Sequence, residues 1–151
     1  MGYNSRLDDL HAGVLSAKLK HIQEWTELRR KWAARYSEGL AGIRRITLPY
    51  EVPGYRHVYH LYVIETKAAR HRDLLLQFLN GEGIDAKCHY PIAIHQQKGY
   101  PWGQQARIAG PIPNSERNAA CCISLPMFPE LTEEEVDYTI DRILEWDRRA
   151  Q

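Results

Sequence analysis

Apolar residues recur at Leu7, Leu10, Val14, Ile22, Trp25, Leu28, Trp32, Tyr36 and Leu40, mostly at the three- and four-residue spacing of a helix face. Ser5-Arg6-Leu7-Asp8 has the form of a capping box, and Gly39 and Gly42 supply stop signals. The pattern predicts a helix over 7–38, which would run ~48 Å at about 1.5 Å per residue. A domain of 151 residues has a radius of gyration of only ~15 Å. Such a helix must protrude, pack on something beyond its own domain, or kink, with Gly13 the place for the kink.

The rest of the chain reads as a mixed fold. Arg45 to Leu48 is a short strand closed by Pro49. Val58 to Ile64 is β-branched and aromatic with apolar residues on both parities, as in a strand covered on both faces. Arg70 to Leu79 reads as a helix ending at Gly81 and Gly83. Ile84 to His89 and Cys121 to Leu125 read as further strands, the latter stopped by Pro126. Thr132-x-x-Glu135 is a second capping box, opening a closing helix on Val136, Ile140, Ile143 and Leu144. Between the strands, Pro91 to Pro113 has no clean period, and a connection that long is usually a binding loop or docking segment. The order predicts an α+β sandwich: a long N-terminal helix over 1–42, then a small, mostly antiparallel sheet with helices packed on it over 43–151.

Bulk properties exclude several classes. A hydrophobic fraction of 44% allows a real core. A net charge of +1 leaves no basic excess for a nucleic acid, and no apolar run is long enough to span a bilayer. Met1 to Arg6 has no apolar targeting core. Cys88, Cys121 and Cys122, an odd count with no C-x-x-C pair, read as reduced thiols of a cytoplasmic protein. They also lack the spacing of a structural zinc site, and sequence neighbours on a strand diverge, which argues against Cys88 with His89 as a nucleophile pair. Core thiols are the expectation, as a core histidine is for His60.

Four stretches stand in a telling order. They are Gly2-Tyr3-Asn4-Ser5-Arg6-Leu7-Asp8; His57-Val58-Tyr59-His60-Leu61-Tyr62-Val63-Ile64; Cys88-His89-Tyr90-Pro91 with Ile94-His95-Gln96-Gln97; and Ser124-Leu125-Pro126-Met127-Phe128-Pro129-Glu130-Leu131-Thr132. Together they resemble the C-terminal part of the DegT/StrS family of nucleotide-sugar aminotransferases, fold-type-I pyridoxal-phosphate enzymes. The resemblance covers almost the whole chain. It implies an inter-domain helix plus the small C-terminal domain, without the large domain that carries the Schiff-base lysine.

The resemblance also implies roles. Asn4 and Arg6 would bind the cofactor, Asn4 reaching the phosphate of pyridoxal phosphate across a dimer. His89, Tyr90 and His95 would face the substrate, their imidazole and phenol groups contacting sugar hydroxyls or the nucleotide diphosphate. Lys87, on a strand with Asp85 and His89, reads as a solvated lysine because the family places its lysine upstream. No catalytic residue and no metal ligand is assigned. The activity implied is transfer of an amino group from an amino acid, with glutamate the expected donor, to a ketosugar nucleotide. The chain alone would not be catalytic. Its expected partners are a large cofactor-binding domain or second subunit, in a homo-oligomer. A truncated relative that only binds or associates is the alternative.

Overall fold

A computed structural model of the chain describes residues 6–100 and 107–149. The elements run α1 (Asp9–Leu19), α2 (Ile22–Gly39), β1 (Ile46–Thr47), β2 (Tyr62–Thr66), α3 (Ala69–Gly81), α4 (Pro113–Cys121), β3 (Cys122–Leu125) and α5 (Glu133–Arg149). The sheet has the order β1-β2-β3 and both pairings are antiparallel, with Ile64 opposite Ile123. The α+β architecture is therefore as the sequence implies.

The long helix is two helices. The break falls at Lys20 and His21, where His21 N–H bonds to the Lys18 carbonyl at 3.0 Å in a tight four-residue turn. Gly13 lies inside an unbroken α1, so the kink expected there is absent. Burial separates the two helices but begins only at Thr26, beyond the break. α1 buries no residue, whereas α2 buries Thr26, Trp32, Ala33 and Tyr36. The N-cap is Asp8, whose carboxylate accepts from His11 N–H at 2.9 Å. That differs from the expected Ser5 cap, and Ser5 lies outside the described residues.

The core gathers α2, the sheet, α3 and α5. Tyr36, Tyr62, Ile64, Leu75, Leu79, Ile123, Val136 and Ile143 are wholly buried in it. At roughly 25 cal/mol per Å² of apolar area, each such side chain contributes about 1.5–3 kcal/mol. α5 packs against both α2 and α3. Gly39 permits the closest approach, since a Cβ there would sit 2.7 Å from Ile140 Cδ1. Arg35 on α2 ties the pair with a bidentate bridge to Asp137 at 2.6 and 2.7 Å, and it also reaches Glu133 at 2.9 Å. The expected capping box of α5 is present, Glu135 N–H bonding Thr132 Oγ1 at 3.2 Å and Thr132 N–H bonding Glu135 at 2.8 Å.

The strands are shorter than the sequence suggests. Tyr59 adopts φ 47°, in the left-handed region, so the chain turns there and β2 begins only at Tyr62. His60 is consequently exposed, which overturns its reading as a core histidine. Along β2, Tyr62, Ile64 and Thr66 are buried while Val63 and Glu65 are only half so, and Glu65 pairs with Arg117 of α4. One face of β2 is thus fully covered and the other partly. In the segment from Ile84 to His89 a single bridge, Lys87 to Ser124, replaces the expected strand. Its two bonds, 3.0 and 2.7 Å, fasten this segment to β3. The chain is thereby anchored just ahead of Cys88 and His89.

Candidate functional site

Immediately past the Lys87 bridge the chain leaves the sheet and runs out over α4. Pro113 at the first position of α4 needs no amide hydrogen there, and Glu116 in the first turn complements the helix dipole. Between this helix and the segment after His89 lies a cleft of about 390 Å³. His89, Tyr90, His95 and Tyr100 line it from one side, Ser115, Asn118 and Ala119 from α4, with Ile92, Ile94 and Ile112 completing the walls.

Two of its histidines are held by named partners. His89 Nδ1 and Ser124 Oγ share a hydrogen bond at 2.9 Å, which fixes the imidazole to β3. His95, on a 3₁₀ turn over Ile94–Gln96, meets Glu116 through Nε2 at 3.0 Å. The His95 side chain is only 10% exposed, so this contact holds the turn against α4. Tyr90 stands 72% exposed with its ring edge-on to that of His89, centroids 5.6 Å apart. Apolar walls with a few fixed polar groups are the usual make-up of a small-molecule site. Among the described lining residues none is Lys or Arg, so the cleft offers neutral donors and acceptors.

His89, Tyr90 and His95, singled out by sequence, therefore line one cleft. Arg6 is exposed ahead of α1 and does not line it. Asn4 lies outside the described residues. Lys87 pairs with Asp85 at 2.7 Å and keeps 59% of its side chain exposed, as expected of a solvated lysine. Ser115, Asn118 and Glu116 were not legible in the sequence, because α4 itself was not. Its nine residues carry no apolar period, and the available signal was Pro113 followed by Glu116.

A small antiparallel sheet with this helix order is the architecture of the C-terminal part of sugar aminotransferases. The solved S. venezuelae DesV in complex with a ketimine intermediate superposes with a TM-score of 0.86 at 37% identity, covering 97% of this chain and 38% of that one. The model of the DegT/DnrJ/EryC1/StrS aminotransferase family matches residues 1–144, and the chain belongs to that family. It is 42% identical to a pleiotropic regulatory protein of Geobacillus stearothermophilus, over 98% of this chain and 39% of that protein. It is 40% identical to a UDP-N-acetyl-3-dehydro-alpha-D-glucosamine 3-aminotransferase of Acidithiobacillus ferrooxidans, over 90% and 35% respectively. The chain thus spans under two-fifths of the length of these relatives. Among the described residues no helix is long and apolar enough to cross a membrane.

Proposed function

We propose that this chain is the substrate-facing part of a pyridoxal-phosphate aminotransferase that moves an amino group, with glutamate as donor, to a ketosugar nucleotide. In this reading 1–42 is the arm between two domains, anchored in the core by α2, and 43–151 is the small domain. It acts in the cytoplasm as part of a homo-oligomer. The observation that carries the proposal is the cleft itself. His89, Tyr90, Ser115 and Asn118 offer hydrogen-bonding groups above an apolar floor, a set suited to sugar hydroxyls. The lack of Lys and Arg among the described lining residues favours the sugar over the diphosphate as the part bound here.

The described residues do not make a complete cofactor holder. The described cleft lining contains no lysine, and Lys87 lies exposed outside it, beside Asp85 at 2.7 Å. When bound, pyridoxal phosphate supplies the electron sink and amino carrier of transamination. The lysine and the acid at its ring nitrogen would come from a large domain outside this chain, so the chain alone turns nothing over. Asn4 and Arg6 are the residues of this chain proposed to face the cofactor. α1 is the surface proposed to receive that domain. Leu10, Val14, Leu15 and Leu19 on it are 79%, 49%, 48% and 64% exposed, and the relatives carry more than half their length elsewhere.

The test is to co-express the chain with a family cofactor-binding domain and assay amino transfer to a UDP- or dTDP-ketosugar. His89→Ala and Asn118→Ala are expected to raise KM for the sugar nucleotide about 3- to 10-fold each, the loss of one hydrogen bond, with cofactor absorbance unchanged. An unchanged KM in both variants would reject the cleft as the sugar site. A second reading, association without turnover, draws on the regulatory relative. A stable complex with no amino transfer would favour it.

A further inference from the structure

Beneath the cleft lies a group of side chains the proposed transfer does not use. Cys88 Sγ sits 3.6 Å from Cys122 Sγ, van der Waals contact for two sulfurs. Arg72 of α3 donates from Nη1 to Cys88 Sγ at 2.8 Å and to the Ala119 carbonyl at 3.4 Å. The Arg72 side chain is only 13% exposed, and Asp73 holds its Nε at 2.7 Å, which fixes the guanidinium against Cys88. Cys88 itself is half-buried, while Cys122 is fully buried. Cys121, the neighbour of Cys122 in sequence, lies outside this pair.

We propose that Cys88 and Cys122 form a two-thiol oxidation site for hydroperoxides. Arg72 places a hydrogen-bond donor on the Cys88 sulfur, and Cys88, the half-buried member of the pair, is the one a peroxide can reach. Cys88 sulfur attacks the terminal oxygen of the hydroperoxide: the S–O bond forms, the O–O bond breaks, and the alkoxide (hydroxide from hydrogen peroxide) leaves with the Cys88 proton as alcohol or water, sulfur being oxidised to a sulfenic acid and the peroxide reduced. Cys122 sulfur then attacks the Cys88 sulfur. The S–S bond forms, the S–OH bond breaks, and the Cys122 proton leaves with hydroxide as water. In sum two thiols and one hydroperoxide give one disulfide, water and the reduced alcohol or a second water. The sulfurs must close by about 1.5 Å to reach the ~2.05 Å of a disulfide. Burial, then the hydrogen bond with Cys88, push the Cys122 thiol up to about 11, so Cys122 stays protonated and does not compete for the peroxide.

The position gives the bond a consequence. Every residue lining the cleft, from His89 to Ala119, lies in the chain between the two cysteines. Oxidation would staple the two ends of the cleft-bearing segment together and pull Cys88, adjacent to His89, toward the sheet. In a reducing compartment such a bond is transient, as sensing disulfides are. The inference does not rest on which substrate the cleft takes.

The experiment treats the chain with hydrogen peroxide, alkylates it unfolded without reductant, and maps the peptides. Expected is no disulfide between chains, one alkylatable thiol, Cys121, and a Cys88–Cys122 link. In Cys122→Ser, Cys88 is expected to accumulate as a dimedone-reactive sulfenic acid. Arg72→Gln is expected to slow oxidation about 3- to 10-fold at pH 7, with Arg72→Lys restoring much of the rate. Three alkylatable thiols after treatment, a link through Cys121 or between chains, or an Arg72→Gln rate equal to wild type would each overturn it.

Discussion

Helices α1 and α5 both carry large apolar residues, yet they meet opposite fates. In α5, Val136, Ile140, Ile143 and Trp146 are buried against α2 and α3. In α1, Leu10, Val14, Leu15 and Leu19 all face outward and no residue is buried. A helix of 11 residues with Gly13 in its middle is marginal on its own in water. In α5 the apolar residues gather on one face, which packs; in α1 they spread around the helix, and none is buried within the chain. For α5 the neighbour is within the chain; for α1 it is the proposed large domain.

The contrast can be broken by mutation. Ile143→Ala should cost about 2–5 kcal/mol in urea unfolding of the chain, because it opens a cavity in a fully buried position. Leu10→Ala should change stability by no more than about 0.5 kcal/mol. Equal losses at the two sites would remove the distinction.

Gly39→Ala tests how closely α2 and α5 meet. Its new Cβ would crowd three atoms of the β-branched Ile140, at 2.7, 2.9 and 3.2 Å. A loss of about 1–3 kcal/mol is expected, measured by thermal and urea unfolding. Gly13→Ala in α1, where a Cβ meets nothing within 4 Å, should instead raise helicity by circular dichroism. Smaller still is the cap of α5, where Thr132→Ala should cost about 1 kcal/mol.

The anchoring of the loop over 50–58 should show in acid. Arg30, then the His57 amide, hold the Glu51 carboxyl down at about 2 against an ordinary 4.5. Because the folded value is the lower one, this contribution is complete above about 4.5 and fades as pH falls toward about 2. Glu51→Gln should therefore be less stable than wild type near neutrality and converge with it in acid, as read by urea midpoints.

Legibility in the sequence depended on how local each signal is. The capping box of Thr132 and Glu135, with Val136, Ile140 and Ile143 behind it, marked α5 to within a residue. α3 was equally plain. Strand ends were not, since the left-handed turn at Tyr59 carries no glycine to betray it. The break at Lys20 and His21 carries neither glycine nor proline, so no local pattern records it. His89, Tyr90 and His95 could be grouped from motif order, but Ser115 and Asn118 belong to a helix too short to show a period. Arg72, Cys88 and Cys122 are brought together by tertiary structure across 50 residues of chain, so sequence reasoning took the thiols as inert core.

The most direct measurement is amide hydrogen exchange along α1 and α5, in the chain alone and then with a family cofactor-binding domain added. The expected result is fast exchange in α1 against slow exchange in α5 for the chain by itself, with α1 becoming protected once the domain is present. An α1 as protected as α5 in a chain that sediments as a monomer would contradict it.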